Sequence, residues 1–82
     1  MTYNVEFSLD AAAELLRIAG VTGSASAIRA ADSIRRRLEV DPAGNGNFLS
    51  EGLYYIDEEP LRAFFLSDEE SASVEITDFR IL

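Results

Sequence analysis

The chain has 82 residues, of which 15 are acidic and 7 are basic, and its formal net charge is −8. It contains no His, Cys or Lys, which excludes an imidazole general base, a zinc or iron–sulfur centre, a thiol nucleophile and a Schiff-base lysine. Taken as a whole, this acidity also opposes nucleic-acid binding, which depends on cationic side chains that neutralise phosphates.

Size and hydropathy indicate one packed domain over residues 1–82. Hydrophobic residues make up 48% of the chain, which is enough for a core in a domain below the usual size. No apolar run approaches the ~18 residues that span a membrane, and the N-terminus lacks the basic and apolar regions of a signal peptide. We therefore expect a cytoplasmic protein with no membrane association and no cofactor.

The N-terminal residues predict a strand followed by a helix. Residues 3–7 alternate between apolar and polar side chains, as in a strand with one buried face. Ser8 has the position and chemistry of a helix N-cap, and residues 9–19 are rich in the helix formers Ala and Leu. We expect this helix to end at Gly20 and to bury one stripe of side chains, namely Ala12, Leu15, Leu16 and Ala19.

A second helix is predicted to start near Ser24 or Ser26 and to end near Asp41. It ends there because Pro42 disfavours helical geometry in the residue before it. Its predicted buried stripe consists of Ile28, Ala31, Ile34 and Leu38. Residues 42–47 combine Pro, Gly and Asn, a composition typical of a loop.

The remaining residues predict three strands. Apolar runs at 53–56, 61–66 and 73–79 are separated by polar turns at 57–60 and 67–71. Such short connections join neighbouring strands into an antiparallel meander. A two-helix hairpin is too small to bury its apolar stripes alone, so it must pack on one face of the sheet. We therefore predict a two-layer α+β domain in the order β-α-α-β-β-β, with a helical hairpin packed on an antiparallel sheet.

Four stretches of the chain, together with this element order, carry a resemblance to a known family. They are residues 3–8, residues 30–38 with Asp41-Pro42 after them, residues 61–65 and residues 74–76. In order and spacing the chain resembles the RelE/ParE toxin superfamily of bacterial and archaeal toxin–antitoxin systems. The four stretches are similar to its opening strand, the end of its second helix, its strand motif of an apolar residue followed by Arg, and the strand after that.

The resemblance implies a partner and two classes of activity. RelE-like members are ribosome-dependent mRNA endonucleases, ParE-like members poison gyrase, and both are neutralised by an antitoxin that wraps the toxin. Arg62 falls where the family has its strand Arg, and Arg80 falls near a second family Arg on the last strand. The sheet lysines of the nuclease branch have no counterpart, because this chain has no Lys.

The leading hypothesis is therefore a RelE/ParE-like toxin-family protein of a type II toxin–antitoxin system that acts mainly by binding a cognate antitoxin. One alternative is a residual ribosome-dependent mRNA endoribonuclease with Arg62, Arg80 and Glu75 as its catalytic residues. Another is a small homodimeric interaction domain without toxin activity. The ribosome with its mRNA, or gyrase, is an expected partner only if the toxin is active.

A register for the last two strands follows if their hairpin is centred between Glu69 and Glu70. Arg62 then lies on the face of the sheet away from the helices, and Arg80 needs a β-bulge or the strand end to reach that face. The predicted cross-strand pairs are Arg62–Thr77, Phe64–Glu75 and Phe65–Val74. The predicted helix-facing residues are Ala63, Phe65, Val74 and Ile76.

The polar candidates have two interpretations. Arg62 and Glu75 are either an anion-binding cation beside a general base or an ion pair across an exposed sheet. The acidic turns at 57–59 and 68–70 lie at opposite ends of a meander, and each lacks the further ligands of a cation site. We therefore expect no metal centre.

Three side chains are predicted to bind a partner. Phe64 and Leu66 belong to the face away from the helices, where an exposed apolar strand marks a binding surface unless a loop or terminus covers it. Of Tyr54 and Tyr55, alternation leaves only one away from the core, and we assign Tyr54 to the partner surface.

The charge is divided unevenly between the two halves of the chain. Residues 1–41 hold six acids and five arginines, whereas residues 42–82 hold nine acids and two arginines. The predicted sheet half therefore carries most of the negative charge. Solubility and adaptation to high salt both explain such an excess, and so does a cationic protein partner that the acidic half attracts.

Overall fold

Residues 2–82, the part of the chain that the computed structural model describes, form five strands and three helices. In chain order they are β1 (Asn4–Phe7), α1 (Leu9–Thr22), α2 (Ser24–Val40), α3 (Pro42–Asn45), β2 (Asn47–Ser50), β3 (Leu53–Glu58), β4 (Leu61–Asp68) and β5 (Ser73–Ile81). The strands form one sheet in the order β1-β5-β4-β3-β2. β1 is parallel to β5, and the other neighbouring strands are antiparallel.

The predicted two-layer α+β fold is confirmed, because α1 and α2 pack together on one face of this sheet. The element order differs from the prediction at the expected loop 42–47, which contains α3 and the start of β2. α3 forms because Pro42 occupies its first turn and the carboxylate of Asp41 accepts a hydrogen bond from the Gly44 amide at 2.9 Å. All four residues of β2 are exposed, so no alternation of apolar side chains reveals this strand.

The connection between α1 and α2 is a single glycine. Ser8 is the predicted N-cap of α1, and its Oγ accepts a hydrogen bond from the Ala11 amide at 3.0 Å. The predicted end at Gly20 is wrong, because α1 continues through that residue to Thr22 and has Gly23 as its C-cap. Gly23 has a φ of +94°, a backbone conformation that favours glycine and turns the chain directly into α2.

The buried helix residues differ in part from the predicted stripes. Leu16 is 71% exposed and Ile28 is 46% exposed, although both were expected in the core. Each helix packs against the sheet and against the other helix, so its buried arc is wider than one stripe and is centred on different residues. The buried residues are Ala11, Leu15, Ile18 and Ala19 in α1, and Ala27, Ala30, Ala31, Ile34 and Leu38 in α2. No helix within residues 2–82 has the length and apolarity that crossing a membrane requires.

The β4–β5 register differs from the prediction by two residues at Phe65, near the turn, and by three residues at Phe64 and Arg62. The chain turns over residues 69–72, where Ala72 has a φ of +50° and the Asp68 carboxylate accepts a hydrogen bond from the Glu70 amide at 3.0 Å. The three predicted pairs are therefore wrong, and the observed pairs are Arg62–Arg80, Phe64–Asp78, Phe65–Ile76 and Leu66–Glu75. A shift by an even number keeps each side chain on its face. The four residues predicted to face the helices are accordingly all buried: Ala63, Phe65, Val74 and Ile76.

A β-bulge at Thr77 decides where the end of β5 points. Thr77 stands between two cross-strand pairs and has no partner of its own in the register. Its hydroxyl donates a hydrogen bond to the carbonyl of Phe64 at 3.3 Å. The extra residue reverses the alternation, so that Phe79 is buried in the core and Arg80 reaches the face away from the helices. The predicted need for a bulge before Arg80 is confirmed.

Candidate functional site

The face of the sheet that points away from the helices, here called the open face, carries three rows of side chains. Each row runs across neighbouring strands, because residues paired in register lie side by side on one face. The arginine row is Arg80, Arg62 and Asp57; the aromatic row is Asp78, Phe64 and Tyr55; and the carboxylate–leucine row is Glu6, Glu75, Leu66 and Leu53.

Arg62 in the arginine row forms a bidentate ion pair with Asp57 of β3. Its Nε and Nη2 donate to the two carboxylate oxygens at 2.7 and 3.0 Å, and its Cζ lies 4.4 Å from the centre of the Tyr55 ring. The hydrogen bonds lower the pKa of Asp57 and raise the pKa of Arg62 from their ordinary values. The cross-strand ion pair predicted for Arg62 is present, but its partner is Asp57 and not Glu75.

Arg80 lies beside Arg62 and is also paired with an aspartate. Its Nε is 3.5 Å from Oδ2 of Asp78, and its Cζ is 5.8 Å from the centre of the Phe64 ring. A cleft of about 420 Å³ adjoins both arginines and is lined by Arg62, Phe64, Arg80, Ile81 and Leu82. The two guanidinium groups and the two aspartates carry no net charge together, so an anion that binds here has to compete with carboxylates already in place.

Glu75 lies apart from the arginine row. It is paired in register with Leu66 on one side and Glu6 on the other, and the aromatic row separates it from Arg62. The structure therefore brings together two of the three predicted catalytic residues, Arg62 and Arg80, and leaves the third at a distance. The catalytic role of these three residues stays a prediction.

The predicted partner-binding residues divide between the two faces of the sheet. Phe64 is half-buried and Leu66 is 44% exposed, and both lie on the open face as expected. Tyr54 lies on the helix side, where its ring stacks on Phe65 with a centroid distance of 5.5 Å. The predicted alternation of the two tyrosines is correct, but Tyr55 is the one on the open face. The binding role of the predicted residues stays a prediction.

In the part of the chain that the structure describes, the acidic residues that form no ion pair are concentrated near the carboxylate–leucine row. Within residues 2–82, six of the seven arginines form ion pairs, and Arg29 forms none. The acids without an ion pair in the same range are Glu6, Asp10, Asp41, Glu51, Glu59, Asp68, Glu69, Glu70 and Glu75. Six of these nine lie in the carboxylate–leucine row or in the 51–52 and 68–72 turns next to it. The described chain has no group of acidic residues arranged to hold a metal ion.

Exposed apolar side chains on α1 and β2 were not predicted as functional. Leu9 is 90% exposed, Leu16 is 71% exposed and Phe48 is 68% exposed. The spacing of the first two gave no signal of exposure, because residues seven apart lie on the same face of a helix and Leu16 was predicted to be buried. Phe48 carried no such signal, because the strand that holds it was not predicted.

Chains of solved toxin–antitoxin complexes share this arrangement over nearly their whole length. The match to the RelBE2 toxin–antitoxin complex from Mycobacterium tuberculosis has a TM-score of 0.84, with 18% identity, and covers 100% of this chain and 93% of the other. This chain has the RelE/ParE fold. The archaeal RelE–RelB complex from Pyrococcus horikoshii OT3 matches with a TM-score of 0.74 and 17% identity, covering 99% and 96% of the two chains.

The chromosomal ParDE toxin–antitoxin system from P. aeruginosa is similar over a comparable share of the chain. Its TM-score is 0.71 at 18% identity, and the match covers 99% of this chain and 97% of the other. No family model matches the sequence, and no curated protein matches it. The resemblance predicted from the sequence is therefore confirmed for the fold. Because the identities are low, the similarity is evidence for the fold and not for a shared activity.

Proposed function

We propose that this protein is the toxin-fold component of a type II toxin–antitoxin pair and that it acts mainly by binding a cognate antitoxin. The observation that carries the proposal is the whole-length similarity to chains of three separate toxin–antitoxin complexes. Because the fold alone does not specify a function, the proposal also depends on the surface of this chain.

The exposed apolar residues support a role in protein binding. Leu9 and Leu16 form a ridge on α1, and Phe48 and Leu49 are exposed on β2. β2 is an edge strand, paired only with β3, so its outer backbone groups are free to hydrogen-bond with a strand of another chain. Apolar surface on two sides of a small domain fits a partner that contacts the protein at several places.

The arginine row favours binding over catalysis. Arg62 and Arg80 are each paired with an aspartate, and the chain has no Lys or His that could add a free cation or a general base. Glu75, the candidate general base, lies beyond the aromatic row. A site of this kind lacks the concentrated positive charge that holds an RNA backbone.

Co-expression with the product of the adjacent reading frame tests the proposal. We expect that product to co-purify with this protein in a stable complex, and to relieve any growth arrest that the protein causes when expressed alone. If the adjacent product does not bind and the protein alone has no effect on growth, the proposal is wrong.

Activity assays separate binding from the enzymatic alternative. We expect no cleavage of ribosome-bound mRNA, because the arginine row is internally neutralised. If the protein does cleave mRNA, and Arg62→Ala lowers the rate at least about tenfold, the endoribonuclease reading replaces the binding one. A gyrase supercoiling assay with the same protein tests the other target class of the fold.

A further inference from the structure

We propose that the carboxylate–leucine row docks a basic, partly apolar segment of the partner protein. The inference rests on the proposed function, since the partner is taken to be the antitoxin, and it adds the place of binding and the chemistry of the segment. Basic side chains of the segment pair with Glu6 and Glu75, and an apolar side chain contacts Leu66 and Leu53.

The row is an uninterrupted strip with one acidic and one apolar half. Glu6 on β1, Glu75 on β5, Leu66 on β4 and Leu53 on β3 are neighbours in register. With strands ~4.8 Å apart, the row is about 14 Å long, the span of roughly four residues of an extended segment. A shallow cleft of about 360 Å³ adjoins the two central residues of the row, and it is lined by Gly52, Leu66, Ser67, Asp68, Ser73 and Glu75.

The carboxylates of this strip repel each other in the free protein. Glu6 and Glu75 are directly opposite across the parallel β1–β5 pair, an arrangement of like charges that destabilises a sheet. Neither has an ion pair within residues 2–82; Glu6 accepts a hydrogen bond from Nδ2 of Asn4 at 3.2 Å. The adjoining turns add Glu51 and Asp68, both exposed. A cationic ligand relieves this repulsion, because it places positive charge where the chain itself has none.

Charge complementarity favours a basic protein segment over the other classes of ligand. A second copy of this chain would set the same carboxylates near each other or near the acidic turns, and a nucleic acid would add phosphates to them. The exposed Leu66, 44% accessible beside Glu75, offers an apolar contact that a metal ion does not use. A segment with alternating basic and apolar side chains satisfies both halves of the strip.

Two matched double variants test the inference. Glu6→Gln with Glu75→Gln neutralises the row, and Asp10→Asn with Glu59→Gln removes the same charge from two unpaired acids elsewhere. The probes are the adjacent-frame product and a synthetic peptide of alternating Arg and Leu, with a Glu–Leu peptide as the control, measured by calorimetric titration. We expect the row variant to bind the Arg–Leu peptide and the adjacent-frame product about tenfold more weakly than wild type, and the control variant to change less than about twofold.

The thermal melting temperature separates lost binding from lost folding. We expect the row variant to melt at a higher temperature than wild type, because it removes the Glu6–Glu75 repulsion while binding is weakened. Three outcomes would each overturn the inference. They are equal weakening of peptide binding in both variants, tight binding of the Glu–Leu peptide, and a dimer of the free protein that dissociates in the row variant.

The outcomes also distinguish this inference from the proposed function. If the adjacent-frame product binds wild type and the row variant equally, the function stands and the docking site is wrong. If that product does not bind but the Arg–Leu peptide binds in a row-dependent manner, the docking site stands and the function is wrong.

Discussion

The two ends of the open face differ in whether their charged side chains have an oppositely charged partner. At one end, the guanidinium groups of Arg62 and Arg80 form ion pairs with Asp57 and Asp78 and lie near aromatic rings. At the other end, Glu6 and Glu75 lie side by side without a cation. Charges that are neutralised within the fold stabilise it and present little to a ligand, whereas unneutralised charges destabilise it slightly and remain available. Of the two ends, the acidic one therefore has the unpaired charge that is available to a ligand.

Truncation of Phe79 breaks this comparison most severely, because this side chain fixes the end of β5 that carries Arg80. The bulge at Thr77 turns Phe79 into the core, where it is 1% exposed. Phe79→Ala should therefore cost about 3–5 kcal/mol of unfolding free energy. Urea denaturation measures this loss. Ile81→Ala, at a 46% exposed position of the same strand, is the control and should cost less than about 1 kcal/mol; equal losses would mean that Phe79 does not anchor the end of β5.

Removing the two aspartates of the open face tests whether the arginines are internally neutralised. In Asp57→Asn with Asp78→Asn, both guanidinium groups lose their carboxylate partners. We expect affinity for a single-stranded RNA oligonucleotide to rise about fivefold at low salt, as measured by fluorescence anisotropy. The Asp10→Asn with Glu59→Gln variant has the same net charge and should show a smaller rise. An equal rise in both would attribute the effect to overall charge alone.

Lowering the pH should reduce the stability of the protein, because protonation of Asp57 removes its ion pair with Arg62. The pKa of Asp57 is lowered in the folded protein, chiefly by the hydrogen bond from Arg62, so the unfolded chain binds the proton more readily. The contribution of this pair is therefore complete above about pH 5 and is lost as the pH falls to about 3 and below. Urea unfolding at both pH values should show a smaller acid-induced loss of stability in Asp57→Asn than in wild type. An unchanged difference would show that the pair contributes nothing to folding.

Neutralising one carboxylate of the unpaired end should have the smallest effect on the free energy of unfolding, and it should stabilise the protein. Glu75→Gln removes the like-charge contact with Glu6 and should stabilise the free protein by about 0.2–0.5 kcal/mol. Glu59→Gln, a change of the same charge at an exposed turn, should leave the unfolding free energy unaltered. Thermal or urea unfolding of both variants measures the comparison, and destabilisation by Glu75→Gln would contradict the account of this end.

The order of the main elements could be predicted because the sequence encodes them locally. The period-2 pattern at residues 3–7, the N-cap Ser8 and the aromatic run at 53–56 each specify their structure through neighbouring residues. The face on which Arg62 lies could also be predicted, because side chains alternate along β4 and its apolar Ala63 and Phe65 take the helix-facing side. The fold class followed from the need of two short helices to bury their apolar stripes on a sheet.

The features that were missed depend on contacts between distant parts of the chain. Leu16 and Ile28 have the correct helical spacing, and only the crossing of α1 with α2 determines that other residues are buried. The strand β2 has no buried face that would give it a pattern, and it forms because β3 provides a pairing edge. The bulge at Thr77 has no signature in its own residue type. As a result, the pairing of Arg62 with Arg80 and the separation of Glu75 from both could not be predicted.

The most direct test of the central claim is a map of where a basic partner contacts the open face. Backbone amide shifts in an NMR titration of wild-type protein with the Arg–Leu peptide locate that contact residue by residue. We predict that the largest changes occur at Glu75, Leu66 and their neighbours in register, and that amides of Arg62 and Arg80 change little. Largest changes at the arginine row, or changes spread evenly over all acidic positions, would contradict the claim.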